Sequence, residues 1–254
     1  MLVYILAIGA AIAVVIIAAV LFRRLGRDVE DRDPSGVTAG HAGSMLSALF
    51  LLAFAIAIVV PWTSADSARQ NTYTESQAIV DAYWSSTGLP AAEGQQLQGE
   101  LRDYVRFVLD REWRLMADGR LSLEGWSRLD TMRAQLMALK VTGALADARD
   151  AALEKIRDIS TARRQRAADA MAEPPPALLL MTVLTGLAVT IFPFLAGARP
   201  RGLTVVPLVL MAALLGVGIY MAFDIAHVFA GGLAVKPDAF TAALQEFQRV
   251  PGGQ

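Results

Sequence analysis

Long uncharged apolar blocks alternate along the chain with one strongly charged segment. The four blocks cover residues 2–22, 45–62, 177–198 and 203–223, and charge or proline bounds them. A membrane-spanning helix needs about 20 consecutive apolar residues, because its backbone groups find no water in the hydrocarbon core. Each block therefore predicts one transmembrane helix, and the expected fold is an all-α integral membrane protein. The alternative interpretation is two spans and two very hydrophobic core helices.

The segment between the second and third blocks has the pattern of a water-exposed helical bundle. Residues 63–176 hold most of the 23 basic and 24 acidic residues of the chain. Apolar residues recur there at helical spacing, as in Leu97, Leu101 and Tyr104, and no alternating run predicts a strand. We expect breaks at Gly88-Leu89-Pro90, at Asp118-Gly119 and near Thr142-Gly143. The second span is close enough to this segment to continue directly into its first helix.

These patterns give four predicted regions. Spans one and two occupy residues 1–62 with a short basic loop at 23–41, the bundle occupies 63–176, and spans three and four occupy 177–224. The tail, 225–254, contains a predicted amphipathic helix at 237–248, in which Phe240, Ala243, Leu244 and Phe247 share one face. That helix can lie on the membrane surface or dock on the bundle, and docking on protein is the commoner outcome.

Composition agrees with a membrane protein and argues against several classes of site. Hydrophobic residues make up 55% of the chain and its mean hydropathy is +0.44, above the 45–50% apolar share that is typical of soluble domains. Without cysteine and with two histidines, the chain has little material for a metal site or a nucleophilic triad. The net charge of −1 gives no reason to expect nucleic acid as a partner. We expect no cofactor, and no enzyme activity, since no second acid is placed to share acid–base work with Glu112.

Arginines give a prediction for the orientation in the plasma (inner) membrane. The short loops after the first span and between the last two spans carry most of the basic residues near span ends, namely Arg23, Arg24, Arg27, Arg32, Arg199 and Arg201. Short loops rich in arginine stay in the cytoplasm, so both termini and the bundle are expected outside it. Because arginines follow the first block and none precedes it, that block is expected to be a retained anchor and not a cleaved signal peptide.

Several motifs in a fixed order resemble the bacterial membrane proteins that have a bestrophin-like domain. The run from Glu75 to Tyr83 is followed by a Gly-Leu-Pro turn at residues 88–90, and aromatic and basic motifs follow at matching spacing. The positions that carry the resemblance are Tyr83, Gly88, Pro90, Trp113, Trp126, Arg163, Arg164, Arg166, His227, Phe229 and Gly231. The tail departs from the family pattern at Ala226 and Val228, where Asp and Pro are usual, and an acid stands at Asp224 instead.

The resemblance implies a pentameric anion channel with a hydrophobic neck on the second span. Phe50, Phe54 and Ile58 lie at i, i+4 and i+8 on one face of that span, and rings of them would form a constriction that gates by dewetting. The expected partners are then the lipid bilayer, further copies of the chain and an inorganic anion. Alternatively, the stripe packs on neighbouring helices or lipid, and the protein is a non-conducting sensor or partner-binding module. Bestrophin orientation would place the bundle in the cytoplasm, opposite to the prediction from arginine.

Charged residues within the matched segments form the second candidate site. They are Glu75, Asp81, Arg111, Glu112, Arg163, Arg164 and Arg166. Arg163 and Arg166 continue the helical stripe of Ile156 and Ile159, and an arginine on a packing face is costly to bury unless a carboxylate meets it. The residues either form ion pairs that fix the register of the bundle, with Glu75, Asp81 or Glu112 as partners, or attract anions or an acidic lipid headgroup.

Overall fold

The computed structural model confirms the all-α fold class over the residues that it describes. These are 9–10, 12–14, 16–17, 20–21, 37–172, 176–195 and 205–249, and none of them is in a strand. The helices are α1 (Val37–Ser85), α2 (Ala91–Phe107), α3 (Trp113–Met116), α4 (Leu123–Ala138), α5 (Ala144–Met171), α6 (Pro176–Leu195), α7 (Val206–Ala226) and α8 (Asp238–Phe247). A 3₁₀ turn, Ser86–Gly88, follows α1, and a π-helical segment, Val108–Glu112, joins α2 to α3.

Three helices within the described part of the chain are long and apolar enough to cross a membrane. They correspond to the second, third and fourth apolar blocks and lie in α1, α6 and α7. The described residues of the first block are helical, but most of the basic loop 23–41 and the loop with Arg199 and Arg201 lie outside the described residues. Four spans therefore remain a prediction. The second span does continue past residue 62, because α1 runs for 49 residues without interruption at Pro61.

The chain divides into two compact units. The span unit comprises Met1–Trp62 with Glu173–Ala226, and the bundle unit comprises Thr63–Ala172 with His227–Gln254. The tail from His227 onwards is thus grouped with the bundle segment, although the sequence pattern had delimited it as a separate region.

Within the span unit, glycines receive phenylalanine rings from neighbouring helices. A Cβ added at Gly186 of α6 would lie 3.2 Å from the Phe50 ring, and one added at Gly218 of α7 would lie 2.6 Å from the Phe54 ring. In the other direction, Gly43 of α1 faces the ring of Phe192 in α6. Membrane helices associate by close packing and not by a hydrophobic driving force, so these glycine and phenylalanine pairs position α1 against α6 and α7.

The bundle unit has a conventional apolar core, built from the helical stripes that the sequence shows. Each of its longer helices contributes buried residues, among them Ile79, Leu101, Val105, Leu129, Met132, Ile156 and Ile159. The three predicted helix breaks all occur. Two of them need glycine, since Gly119 and Gly143 have φ of 69° and 62°, a region that side chains disfavour.

The amphipathic helix of the tail, α8, docks on this core. Phe240, Ala243 and Phe247 are buried in it, and the Phe247 ring stacks on Tyr83 at a centroid distance of 4.2 Å. The Ser76 hydroxyl donates a hydrogen bond of 2.6 Å to the carbonyl of Ala239. The predicted hydrophobic face therefore covers protein, which is one of the two positions that the sequence left open.

Candidate functional site: a buried arginine–glutamate cluster

Four charged side chains meet in the interior of the bundle unit. Glu75 comes from α1, Glu112 ends the π-helical segment, and Arg163 and Arg166 lie three residues apart on the inner side of α5. All four side chains have no exposed surface. Burying an isolated charge costs several kcal/mol, so these groups are tolerated only through one another. We call this set the ion cluster.

Both guanidinium groups bind carboxylates with two nitrogens. Arg163 donates from Nη1 and Nη2 to the two oxygens of Glu112, at 2.6 and 2.5 Å. Arg166 donates from Nε and Nη2 to Glu75, at 2.6 and 3.0 Å, and Nη2 also reaches Glu112 at 2.9 Å. Glu112 therefore bridges the two arginines. Such paired hydrogen bonds between ions are the strongest in proteins.

Neutral groups use most of the remaining hydrogen-bonding capacity. Tyr104 donates to Glu75 at 2.8 Å and accepts from Arg163 at 3.1 Å. The Ser122 carbonyl accepts from Arg163 at 2.9 Å, and the Met116 sulfur lies 2.9 Å from Nη1 of Arg166. Arg163 Nε is buried without a partner among the described residues. The cluster consequently has almost no donor left to offer a ligand.

Aromatic rings and one glycine complete the enclosure. The guanidinium carbon of Arg163 lies 4.8 Å from the Trp126 ring centroid, and that of Arg166 lies 5.2 Å from the Phe240 centroid, distances typical of cation–π contacts. A Cβ at Gly125 would overlap the Arg163 guanidinium. Glycine at this position is what lets the arginine approach the first turn of α4.

The local structure explains why Glu112 reaches both arginines. The π-helical segment adds one residue to a helical turn, which rotates the side chains that follow relative to those of α2; π segments often occur at functional sites. Glu112 also accepts a hydrogen bond of 3.2 Å from the backbone N–H of Ser122, the N-cap of α4. One carboxylate thereby connects the end of the π segment, the start of α4 and α5.

The electrostatics favour the ionised forms of Glu112, Arg163 and Arg166. Burial alone would raise the pKa of Glu112, but the hydrogen bond from Arg163 and the charges of Arg166 and Arg163 lower it below 4.5. Burial would lower the pKa of Arg166, yet Glu75 outweighs it and the pKa is raised. Burial and the Glu75 charge raise the pKa of Tyr104 far above 10.0, so the phenol stays protonated and donates. Two cations and two anions leave the cluster with no net charge.

The remaining charged candidates lie outside the ion cluster. Asp81 accepts from Gln77 at 2.9 Å and faces Lys155 at 3.4 Å on the surface. Arg111 is 73% exposed and 3.9 Å from Glu124, and Arg164 is exposed and bonds Thr161 of its own helix at 2.9 Å. Among the described residues, no group of three histidine, aspartate or glutamate side chains could hold a metal ion.

A family model decides the identity of the chain. The model of the bestrophin-like domain matches residues 8–240, which includes the whole ion cluster. The chain belongs to the bestrophin-like family.

Solved structures agree on the fold of this bestrophin-like protein. The crystal structure of a bacterial bestrophin homologue from Klebsiella pneumoniae superposes with a TM-score of 0.69 at 14% identity, covering 95% of this chain and 96% of that one. A tyrosine-to-alanine variant of a Klebsiella pneumoniae bestrophin homologue gives 0.64 at 12% identity, covering 98% and 100%. No curated protein matches the sequence.

Several positions that carry the resemblance make specific contacts or stand at turns in this bestrophin-like chain. Tyr83 is buried and its hydroxyl accepts a 2.8 Å bond from Arg102. Trp113 makes edge contacts with Phe229 and Phe240, while Gly88 and Pro90 flank the turn before α2. Gly231 has φ of 95° in the loop after α7, and the carbonyl of His227 accepts from the N–H of Ala230 at 3.1 Å.

Sequence reasoning did not single out four members of the site: Tyr104, Ser122, Gly125 and Phe240. Tyr104 and Phe240 lie on apolar stripes, a pattern that predicts core residues. Ser122 takes part through its backbone, which no side-chain motif reveals. Gly125 carried no signal, because the need for a missing Cβ arises only from the position of Arg163.

Two of the three neck candidates on α1, Phe50 and Phe54, lie against other helices of the same protomer. Phe50 is only 6% exposed, faces Gly186, and stacks on Phe54 at 5.5 Å. Ile58 is half-buried. The opposite side of the helix carries a second apolar stripe at the same spacing, Leu52, Ile56 and Val60, whose side chains are exposed.

Proposed function

We propose that this bestrophin-like protein assembles from identical subunits into a membrane channel permeable to inorganic anions, with an apolar constriction on α1. The observation that carries the proposal is the bestrophin fold over 95% of the chain, because the bestrophins that it resembles are anion channels. In this proposal the protein acts as a channel and not as an enzyme.

The exposed surface of the span unit supports assembly in a bilayer. Only 11%, 22% and 17% of the residues in the apolar windows of the three described spans are buried within the protomer. Contiguous apolar surface of this extent is not stable in water. Lipid must cover part of it, and neighbouring copies of the chain are the natural cover for the remainder.

Two stripes on α1 compete for the role of the constriction. Phe50, Phe54 and Ile58 would face a symmetry axis only if α1 turned away from Gly186 and Gly218 during assembly or opening. Leu52, Ile56 and Val60 need no such movement, since their side chains are already exposed on the protomer surface. Either ring would exclude water when narrow and so control conduction by dewetting.

The ion cluster has a positioning role in this proposal. Its charges cancel and almost all of its donors are occupied, Arg163 Nε excepted, so it has little attraction for a permeating anion. It instead links Glu75, on the helix that continues from the second span, to α5 and to the π segment. Of the two roles predicted for these residues, the contacts favour ion pairs that fix helix register.

The test is electrical recording of the purified protein in planar bilayers with a chloride gradient. We expect currents whose reversal potential follows chloride. Ile56→Ala and Phe54→Ala form a matched pair on opposite faces of the same helix turn. A change of conductance or selectivity with Ile56→Ala alone assigns the exposed stripe, and one with Phe54→Ala alone assigns the phenylalanine ring. Absence of current from a correctly assembled oligomer would refute the channel.

A groove with several polar side chains in the bundle unit favours the second candidate function, a non-conducting sensor. The groove, of about 820 Å³, lies between α1 and α5, and its lining combines apolar surface with the polar side chains of Asn71, Thr74, Gln77, Asp81, Thr161 and Gln165. Its volume falls in the range of small-molecule sites. Silent bilayers together with a ligand-dependent rise in thermal stability, lost in Gln77→Ala, would favour the sensor.

A further inference from the structure

The span unit contains a pocket whose lining is apolar almost throughout. The pocket has a volume of about 340 Å³ and lies between the first apolar block, α6 and α7. Its walls include Ala10, Val14, Val183, Leu187, Gly216 and Tyr220. The tyrosine hydroxyl, which lies 3.4 Å from Asp224 Oδ1, is the polar end of an otherwise hydrocarbon-like site.

The pocket lies at the depth of the hydrocarbon core. Val183 and Leu187 are in the middle of α6 (Pro176–Leu195), and Gly216 is in the middle of α7 (Val206–Ala226). With a rise of about 1.5 Å per residue, these positions are roughly 10–15 Å from the nearer helix ends. Water is scarce at this depth, and an empty apolar pocket forgoes dispersion contacts along its whole lining.

The pocket opens from a surface that faces outwards. Leu180, Val183, Leu184 and Leu187 form one stripe of α6, and all four are between 36% and 58% exposed. Val183 and Leu187 line the pocket, whereas Leu180 and Leu184 lie beside it. A molecule in the surrounding hydrocarbon therefore has lateral access to the pocket.

We infer that this pocket binds one acyl chain of a phospholipid. A protein helix with its side chains is about 10–12 Å wide, too wide for a site of this volume, whereas a flexible unbranched chain matches it. Tyr220, toward the C-terminal end of α7, places the polar end of the lipid on the side where that helix ends at Ala226. The lipid comes from the leaflet on that side and fills the space that Gly216 and Ala10 leave by lacking large side chains.

The inference is independent of conduction, and phospholipid retention tests it. The purified oligomer is washed with delipidating detergent, and bound phospholipid is quantified per subunit by extraction and mass spectrometry. We expect about one phospholipid per subunit in the native chain and at least a fivefold loss in Val183→Trp, which places a ring in the pocket. Leu184→Trp is the matched control, since residue 184 is exposed beside the pocket, and it keeps the lipid. Loss of lipid from both variants, or equal retention in both, overturns the inference.

A second measurement covers the case in which Val183→Trp does not assemble. The native protein is reconstituted with a phospholipid that has a photoreactive group midway along one acyl chain. Labelling concentrated on 183–187 and 215–223 supports the pocket. Labelling spread evenly over the outer faces of α6 and α7 overturns it, as does native protein that retains no phospholipid because a neighbouring subunit covers the site.

Discussion

Replacing Glu112 by glutamine gives the sharpest test of the ion cluster. Glutamine keeps the shape of the side chain but removes one of two negative charges that balance two buried guanidinium groups. Among the described residues, Glu112 is the one carboxylate partner of Arg163, at 2.5 and 2.6 Å, and one of two for Arg166. The side chains are fully buried, so water cannot replace the lost interactions.

The expected cost is about 3–5 kcal/mol in the free energy of unfolding of the bundle unit, the usual penalty for breaking a buried ion pair from one side. Glu124→Gln is the matched control: Glu124 pairs with Arg128 at 2.7 Å, but its side chain is 44% exposed. Exposed pairs contribute about 0.2–1 kcal/mol. Urea unfolding of the full chain in detergent, followed by tryptophan fluorescence, measures both values.

A double variant separates an unpaired charge from a lost contact. Glu112→Leu with Arg163→Leu removes one charge of each sign and leaves Arg166 paired with Glu75. Since apolar replacement of a whole buried pair is often nearly neutral, we expect the double variant to be more stable than either single variant. Equal costs for Glu112→Gln and Glu124→Gln, or a double variant that costs the sum of the two singles, would refute the reasoning.

Three further predictions follow from the same structure. Gly125→Ala is expected to destabilise the bundle unit by about 1–3 kcal/mol, because the added Cβ overlaps Arg163 and overpacking has that penalty. Gly99→Ala is the control: a Cβ there has nothing within 4 Å, so the change should stabilise α2 by about 0.5–1 kcal/mol. Equal urea midpoints for the two variants would contradict this expectation. The pKa of Glu112 is lower in the folded chain than its ordinary 4.5, so its contribution to stability is complete above pH 4.5 and is lost as the pH falls through the folded value. When unfolding is measured between pH 7 and pH 3, the free energy of unfolding should therefore fall less steeply in Glu112→Gln than in the native chain. The chain has no cysteine, so a single cysteine introduced by Leu123→Cys, at a site that is 84% exposed, reports the orientation of the bundle unit. The distribution of arginine predicts that an impermeant maleimide labels this cysteine in intact spheroplasts. Labelling only after permeabilisation would establish the opposite orientation.

Much of the fold was predictable because it depends on features of short stretches of sequence, namely apolar runs, helical periodicity and the backbone preferences of glycine. Uninterrupted apolar blocks indicate spans through the cost of unsatisfied backbone groups in lipid, and helical periodicity indicates the buried faces of α2 and α5. Breaks at Gly119 and Gly143 follow from the backbone preferences of glycine. The pairing of arginine with Glu75 or Glu112 was among the predicted alternatives, since a charge on a packing face needs a partner.

Tertiary structure alone decided which groups meet. Asp81 has the same charge as Glu75, but it lies six residues further along α1 and faces Lys155 on the surface, so it does not reach the cluster. The π segment aims Glu112 in a direction that a regular helical register would not predict, and Gly125 matters only because Arg163 approaches it.

The same distinction holds on α1. Its sequence contains two apolar stripes with identical spacing, and neither hydropathy nor periodicity ranks them. Phe50 packs on Gly186 and is buried, and Phe54 packs on Gly218, whereas Leu52, Ile56 and Val60 on the opposite face are exposed. A sequence states which side chains share a helical face, whereas the direction of that face depends on helices that are more than a hundred residues away in the chain.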